Sequence, residues 1–209
     1  MTSAMDEAAL LGEHMLIVCG PSGAGKSTLV RRALERHEAV RLSISFTTRA
    51  PRGQEKNGVD YHFVSLERFE EMKARDAFAE WALVHGNYYG TARATIQGAA
   101  QRGWDLLFDI DYQGATQLKA AFPSAWSVLV SPPNLATLEA RLRGRKTDAE
   151  DVILRRLQKA REELEQRRLF DFIVVNDDLE RATESLLSIY HAMSSRQLRA
   201  ALSCPEIFS

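Results

Sequence analysis

Cysteine is nearly missing from this chain: there are two in 209 residues, Cys19 and Cys204. Two thiols so far apart form neither a metal-ligand pattern nor a disulfide framework. One buried thiol and one tail thiol are expected, in a reducing cytoplasm. Long apolar runs are missing too. None approaches the roughly 20 residues that cross a bilayer. The opening MTSAMDEAALLGEH has neither a basic leader nor a long apolar core, so it reads as a frayed tail and not as a secretory signal. Excess charge of one sign is also absent, since 27 Lys and Arg against 28 Asp and Glu leave a formal net charge of −1. That balance gives no bulk attraction to nucleic acid or to an anionic membrane, and neither is expected as a partner. No internal repeat, low-complexity tract or Pro/Ser-rich linker interrupts the chain. What is there, 45% hydrophobic and 26% charged residues, is ordinary for a globular protein with one large domain or a core bearing a smaller insertion.

The apolar runs that do occur are short. MLIVC at 15–19, DLLFDID at 105–111, WSVLVS at 126–131 and DFIVVN at 171–176 read as buried parallel strands. Helical stripes follow them: Leu29, Val30, Ala33 and Leu34; Leu135, Leu138 and Leu142; Ile153, Leu157, Ala160 and Leu164; Leu179, Ala182, Leu186 and Ile189. Strands alternating with helices predict an α/β fold, a three-layer core whose parallel sheet is flanked by helices. Residues from about 42 to 90 differ. LSISF, VDYHFV and FAEWALV alternate like strands of a sheet open on one side, with LERFEEMKAR as a helix among them. The expected organisation is a tail at 1–13, a core at 14–40 and 92–195, a small mixed α/β insertion at about 41–91, and a second tail at 196–209.

The first strand runs straight into Gly20-Pro21-Ser22-Gly23-Ala24-Gly25-Lys26-Ser27, followed by Thr28 and a helix. This matches the phosphate-binding P-loop without departure, in the strand–loop–helix setting that gives the motif meaning. Glycines let successive backbone N–H groups point at phosphate oxygens, and the helix N-terminus adds positive character. Lys26 can reach the β- and γ-phosphates, and Ser27 can ligate Mg²⁺. A nucleoside triphosphate is therefore expected, but GTPases, motor ATPases and small-molecule kinases all share this loop.

A second stretch, TTRAPRGQE at 47–55, holds Arg49 and Arg52 on either side of Pro51. Proline fixes its own φ and biases Ala50 away from helix, so a stiff loop is expected. Two guanidinium groups on a stiff loop suit a phosphate dianion, although two solvated arginines in a turn would look the same. Asp109 and Asp111, two apart at a strand end, should point to one side, where open α/β sheets bind ligands. A carboxylate there can organise the water shell of Mg²⁺. Arg141 and Arg145, four apart, share a helix face before Gly144 breaks it, which reads as a mobile lid at about 141–151.

Taken together, GPSGAGKST, SFTTRAPRGQEKNGVDYHF, EWALVHGNYYGT, LFDIDYQG, RLRGR and IVVNDD resemble the guanylate kinase family over about 15 to 195. The resemblance implies transfer of the γ-phosphoryl of ATP to GMP, giving ADP and GDP, with Mg²⁺ as cofactor, ATP and GMP as substrates and dGMP beside them. It implies that Arg49, Arg52, Glu55, Tyr61 and Tyr89 surround the GMP phosphate. Glu80 would read the guanine with Asp111 in support and Ser45 and Thr91 completing the polar contacts, and Asp109 would serve the metal with Ser27. Arg141, Arg145 and Arg156 would neutralise the transferring phosphoryl, and Asn176 would contact the adenine side. Three departures stand out: Thr91 replaces a frequent serine, and Gln54 and Lys146 replace frequent glycines. Three rival readings remain: a catalytically silent binding module of this fold, a kinase of another small phosphorylated acceptor, and a plain nucleoside triphosphatase.

Overall fold

The computed structural model describes residues 4–84, 86–144 and 149–195. In chain order the elements are α1 (Ala4–Gly12), β1 (Met15–Cys19), α2 (Lys26–Arg36), β2 (Val40–Leu42), β3 (Phe46–Thr47), β4 (His62–Phe63), α3 (Leu66–Ala74), β5 (Phe78–Val84) and β6 (Asn87–Ala92). There follow α4 (Arg93–Ala100), β7 (Asp105–Asp109), α5 (Tyr112–Ala121), β8 (Trp126–Ser131), α6 (Leu135–Arg143), α7 (Glu150–Glu165), a 3-10 turn (Gln166–Leu169), β9 (Phe172–Val175) and α8 (Leu179–Ser194).

Five strands form a parallel sheet in the order β2-β7-β1-β8-β9. β1 lies at its centre with all five residues buried, because successive side chains feed opposite cores. Leu16 and Val18 pack with Leu29, Val30, Leu186 and Tyr190 on the side of α2 and α8. Met15, Ile17 and Cys19 pack with Ile96, Phe108 and Leu118 on the side of α4 and α5. A strand buried on both faces reads as an unbroken apolar run, which is why MLIVC was legible. Burial pushes the Cys19 thiol up to about 12, so it is an inert packing group.

The second sheet has the order β4-β3-β6-β5, with β3 and β4 parallel and the other pairs antiparallel. One of its faces is covered by α3, where Phe69 stacks on Phe78 at 4.4 Å and on Tyr88 at 5.1 Å between centroids. One side chain of the core grips the backbone of its outer strand. Gln117 on α5 donates from Nε2 to the Trp81 carbonyl at 2.9 Å and accepts from the Trp81 N–H at 3.1 Å. The amide thus pairs with β5 as another strand would.

Four expectations need correction. DFIVVN is not a buried strand: β9 forms an edge of the sheet, and Ile173 and Val175 are exposed on it. Residues 1–13 are not all tail: Ala8 and Leu11, three apart on α1, pack onto the core beside α4, and Ser124 Oγ donates to the Ala9 carbonyl. LSISF is not one strand. Val40–Leu42 pairs with β7 in the main sheet, and Phe46 begins the second sheet, so the insertion starts just past Leu42. The DLLFDID strand stops at Asp109, and Asp111 instead caps α5. Among the described residues no helix is long and apolar enough to cross a membrane. Cys204, Arg145, Lys146 and the tail at 196–209 lie outside the described residues.

Candidate active site

Two clusters of polar side chains stand at the carboxyl ends of β1 and β7 and along the second sheet. The first is built on backbone. Gly20 and Gly25 have φ of 148° and 91°, conformations that L side chains rarely adopt. A Cβ on Gly25 would lie 2.2 Å from Asn176 Nδ2, and one on Gly20 would lie 2.2 Å from the Val130 carbonyl oxygen. Between them Pro21 accepts from the Ala24 N–H at 3.0 Å, which closes the loop over Ser22 and Gly23. No side chain caps α2, and its first turn holds no acidic residue. Its leading N–H groups are therefore left for an anion.

Lys26 Nζ donates to the Gly20 carbonyl at 3.1 Å and lies 3.5 Å from Asp109 Oδ1. Ser27 Oγ donates to Asp109 Oδ2 at 2.8 Å. The loop is held from behind. Asn176, 5% exposed, donates from Nδ2 to the Ala24 carbonyl at 2.7 Å. Arg141 donates from Nη2 to the Asn176 carbonyl at 2.8 Å. Asn176 thus spends its amide on loop backbone. Thr28 is half-buried in the first turn of α2.

The second cluster is built on side chains. The two threonines of TTR fasten the loop to β6: Thr47 Oγ1 donates to the Tyr88 carbonyl at 2.9 Å, and Thr48 Oγ1 accepts from the Tyr88 N–H at 2.9 Å. Arg49 is 8% exposed. Its Nε donates to Tyr89 Oη at 3.2 Å, and its fork takes Glu55 in both arms at 3.0 and 2.9 Å. Its guanidinium lies 5.3 Å from the Tyr61 ring centroid. Glu55 also accepts from the Arg52 N–H at 2.7 Å, so one carboxylate staples the loop around Pro51. That pairing holds the Arg49 guanidinium firmly protonated and the Glu55 carboxyl below its usual range. Arg52 is exposed. Burial chiefly raises the Tyr61 phenol, with the neighbouring Tyr89 and the Asp109 charge adding to it.

Beside them Glu80 on β5 is 4% exposed and accepts from Thr91 Oγ1 at 2.7 Å. Burial, helped by the neighbouring Asp111, raises its carboxyl to about 7. Gly114 lets the first turn of α5 come this close, since a Cβ there would sit 2.7 Å from Glu80 Oε2. Asp111 Oδ1 accepts from the Gly114 N–H at 3.0 Å. Its Oδ2 is buried, with no hydrogen-bond partner among the described residues. A paired glutamate and an under-satisfied aspartate are acceptors waiting for N–H donors. Ser45 is half-buried at the start of β3, and its carbonyl accepts from the His62 N–H at 2.8 Å.

Asp109 and Asp111 therefore part company, the first to the P-loop and the second to Glu80. Arg156 is half-buried on α7, after the gap that holds Arg145. The sequence reading missed Arg143, which grips Glu150 with Nη2 at 2.6 Å and so bridges α6 to α7 across residues 145–148. The alternation of charge in RLRGRKTDAED was its only signal. It also missed Gln117, for which a lone amide on a helix gives no signal.

The family model described as guanylate kinase matches residues 12–193. The guanylate kinase of Neisseria gonorrhoeae is 50% identical over 186 residues, covering 89% of this chain and 91% of that protein. That of Chromobacterium violaceum is 49% identical over 194 residues, covering 93% and 91%. A crystal structure of guanylate kinase from Anaplasma phagocytophilum superposes with a TM-score of 0.73 at 30% identity, covering 88% of each chain.

Proposed function

The chain belongs to the guanylate kinase family and is an enzyme of that activity; from that premise we propose how its two clusters divide the transfer of a phosphoryl group from ATP to GMP. What supports the reading is the junction of β7 and α5: Asp109 bonds Ser27 of the P-loop, while the helix turn that Asp111 opens lies against the buried Glu80–Thr91 pair of the sheet that also carries the Arg49 fork. The P-loop N–H groups, α2 and Lys26 hold the triphosphate. Arg49, Arg52, Tyr61 and Tyr89 hold the monophosphate, with Glu55 keeping their loop in shape. Guanine offers N1–H and an exocyclic amine, and Glu80 and Asp111 are the acceptors that face them, with Ser45 and Thr91 beside. Adenine has no such donor pair, so it would leave two buried carboxyl groups unpaired.

The oxygen donors of Ser27 and Asp109, 2.8 Å apart, fit Mg²⁺, which favours one or two protein oxygens and fills its shell with water and phosphate. When bound there, the ion screens the charge between the two phosphate chains. Arg141, Arg145 and Arg156 add cations where negative charge spreads in transfer. Arg141 is already anchored beside the loop through Asn176. A GMP phosphate oxygen is a competent nucleophile, so no residue serves as general base. Closure of the segment around 141–151 excludes water and prevents idle hydrolysis.

The test is ADP release from Mg²⁺–ATP with GMP, dGMP, AMP, CMP, UMP or no acceptor. Release that depends on GMP and dGMP is expected. Release without an acceptor would replace this reading with a nucleoside triphosphatase, and GMP binding without release would replace it with a silent binding module.

A further inference from the structure

The two acceptors assigned to the guanine stand on different elements. Glu80 lies on β5 of the second sheet, and Asp111 caps α5, a helix of the core. Their spacing therefore depends on how α5 lies against β5. Two contacts set it. In the first turn of the helix, Gly114 brings its backbone up to the Glu80 carboxyl group, since a Cβ there would sit 2.7 Å from Oε2 and 3.2 Å from Cδ. Asp111 accepts from the N–H of that same glycine at 3.0 Å. One turn on, Gln117 takes the next residue of the strand. Its Nε2 donates to the Trp81 carbonyl at 2.9 Å, and its Oε1 accepts from the Trp81 N–H at 3.1 Å.

Neighbours on a strand point to opposite faces. Glu80 faces α5, while the Trp81 ring packs towards α3, with Lys73 Nζ 4.3 Å from its centroid. Gln117 grips the backbone between them. It is exposed, so water could serve both Trp81 groups in its place, and the two bonds add only modestly to stability. What water does not supply is register. Both bonds come from one planar amide and end on one residue, which fixes the helix against the strand in position and in orientation. β5 has use for such a reference here. Between Phe78 and Glu80 its pairing with β6 slips, from Ala92 opposite Phe78 to Thr91 opposite Glu80. The ladder is least regular beside the residue that has to be placed most closely.

We propose that Gln117 is a positioning residue for base selection: by locking Trp81 to α5 it sets the separation of Glu80 and Asp111 that guanine must bridge. This rests on the reading of those two residues given above. It assigns Gln117 no contact with either nucleotide.

The test compares Gln117→Leu, which removes both bonds, with Gln117→Glu, which keeps the length and the bond from the Trp81 N–H. Lys119→Met is the control. Lys119 lies on the same helix, but its Nζ donates to the Ala125 carbonyl at 2.6 Å and to Asp171 Oδ2 at 2.7 Å, so it ties α5 to the entries of β8 and β9. Initial rates with GMP and with AMP, at varied ATP, and thermal melts are measured on all three. In Gln117→Leu the KM for GMP should rise roughly three- to tenfold, the scale of one weakened hydrogen bond. The ratio of kcat/KM for GMP over AMP should fall by a similar factor, while kcat for GMP and KM for ATP stay near wild type. Gln117→Glu should lie between. Lys119→Met should melt earlier and keep the wild-type ratio. A wild-type KM for GMP and a wild-type ratio in Gln117→Leu would overturn the proposal. So would an equal fall of the ratio in Lys119→Met, which would trace the effect to a loosened helix. If Gln117→Leu lacks a cooperative melt, Gln117→Glu decides, and a wild-type ratio there overturns the proposal. A wild-type chain that phosphorylates AMP as well as GMP, or neither, would instead overturn the transfer reading itself.

Discussion

The two ends of the active site are made of different material. The P-loop end is backbone: positive-φ glycines, an uncapped helix start and one lysine, all within residues 20 to 28. The GMP end is side chains brought from far apart: Arg49 meets Tyr89, Thr91 meets Glu80, and the first turn of α5, capped by Asp111, comes against Glu80 from a third element. A phosphate can be gripped by any row of N–H groups, so a local loop suffices. A base must be told from other bases by acceptors in fixed places, which needs buried polar groups on rigid, separate elements. The first end costs little stability. The second stores an unfavourable burial of charge at Glu80 and a bare oxygen on Asp111.

The sharpest break of this contrast removes one end and asks whether the other survives. Lys26→Ala should lower turnover by about 10²- to 10³-fold or more, the scale for losing one fixed electrostatic contact to the transferring group. GMP affinity by calorimetry should stay within a few-fold, as should the melting temperature. Near-normal turnover in the folded variant would reject the role of Lys26. Arg49→Lys is the converse. A lysine cannot span Glu55 and Tyr89 at once, so GMP affinity should fall by roughly ten- to a hundredfold while ATP affinity holds. Parallel losses of ATP and GMP affinity in this variant would show that the ends are not separable.

Glu80→Gln sharpens the contrast through stability. The folded chain keeps the Glu80 proton up to about pH 7, whereas the usual value is 4.5. Between these values the folded state binds more protons than the unfolded state, so this group makes stability fall as pH rises. Above pH 7 the burial of the charge costs about 3 kcal/mol, an order-of-magnitude figure. Glutamine removes that cost and still accepts from Thr91. Urea melts should therefore show the variant gaining on wild type as pH rises from 4.5 to 8, while GMP binding is lost. An equal difference at both pH extremes would contradict the burial argument. The smallest effect belongs to Gln117→Leu. It breaks two hydrogen bonds to Trp81 at the edge of β5 and should cost about 1 kcal/mol, read as faster amide exchange in β5 than in β1. Unchanged exchange at Trp81 would show that the amide holds nothing.

The same contrast explains what could be read from the residues alone. The P-loop, β1 and α2 are contiguous, so motif and hydrophobic period coincide within a short window. β1, β7 and β8 are buried almost throughout and stand out as apolar runs, as do the leucine stripes of α6, α7 and α8, whereas β9, read as equally buried, is an edge strand with Ile173 and Val175 exposed. α4 was not legible, because ATIQGAA packs small residues and offers only Ile96 as a large apolar anchor. α1 was missed for a related reason: among its described residues the apolar packing on the core comes from Ala8 and Leu11. The break in LSISF was hidden because Ser43 to Ser45 alternate like strand residues while the chain changes sheets. In the GMP end, only the resemblance pointed to Glu80, Tyr61 and Tyr89. No local pattern distinguishes a strand glutamate that reads a base from one that faces water. Asp111 had a readable signal that went unused, an aspartate three residues before a glycine at a helix start.

The central claim is that side chains at the second end, not the P-loop, decide which nucleotide accepts the phosphoryl group. The most direct measurement is the ratio of kcat/KM for GMP over AMP in wild type and in Glu80→Gln. A site that satisfies buried acceptors with guanine should favour GMP by about 10⁴-fold or more, and the ratio should drop by at least about a hundredfold in the variant. A ratio unchanged by Glu80→Gln would contradict the account and move base selection elsewhere.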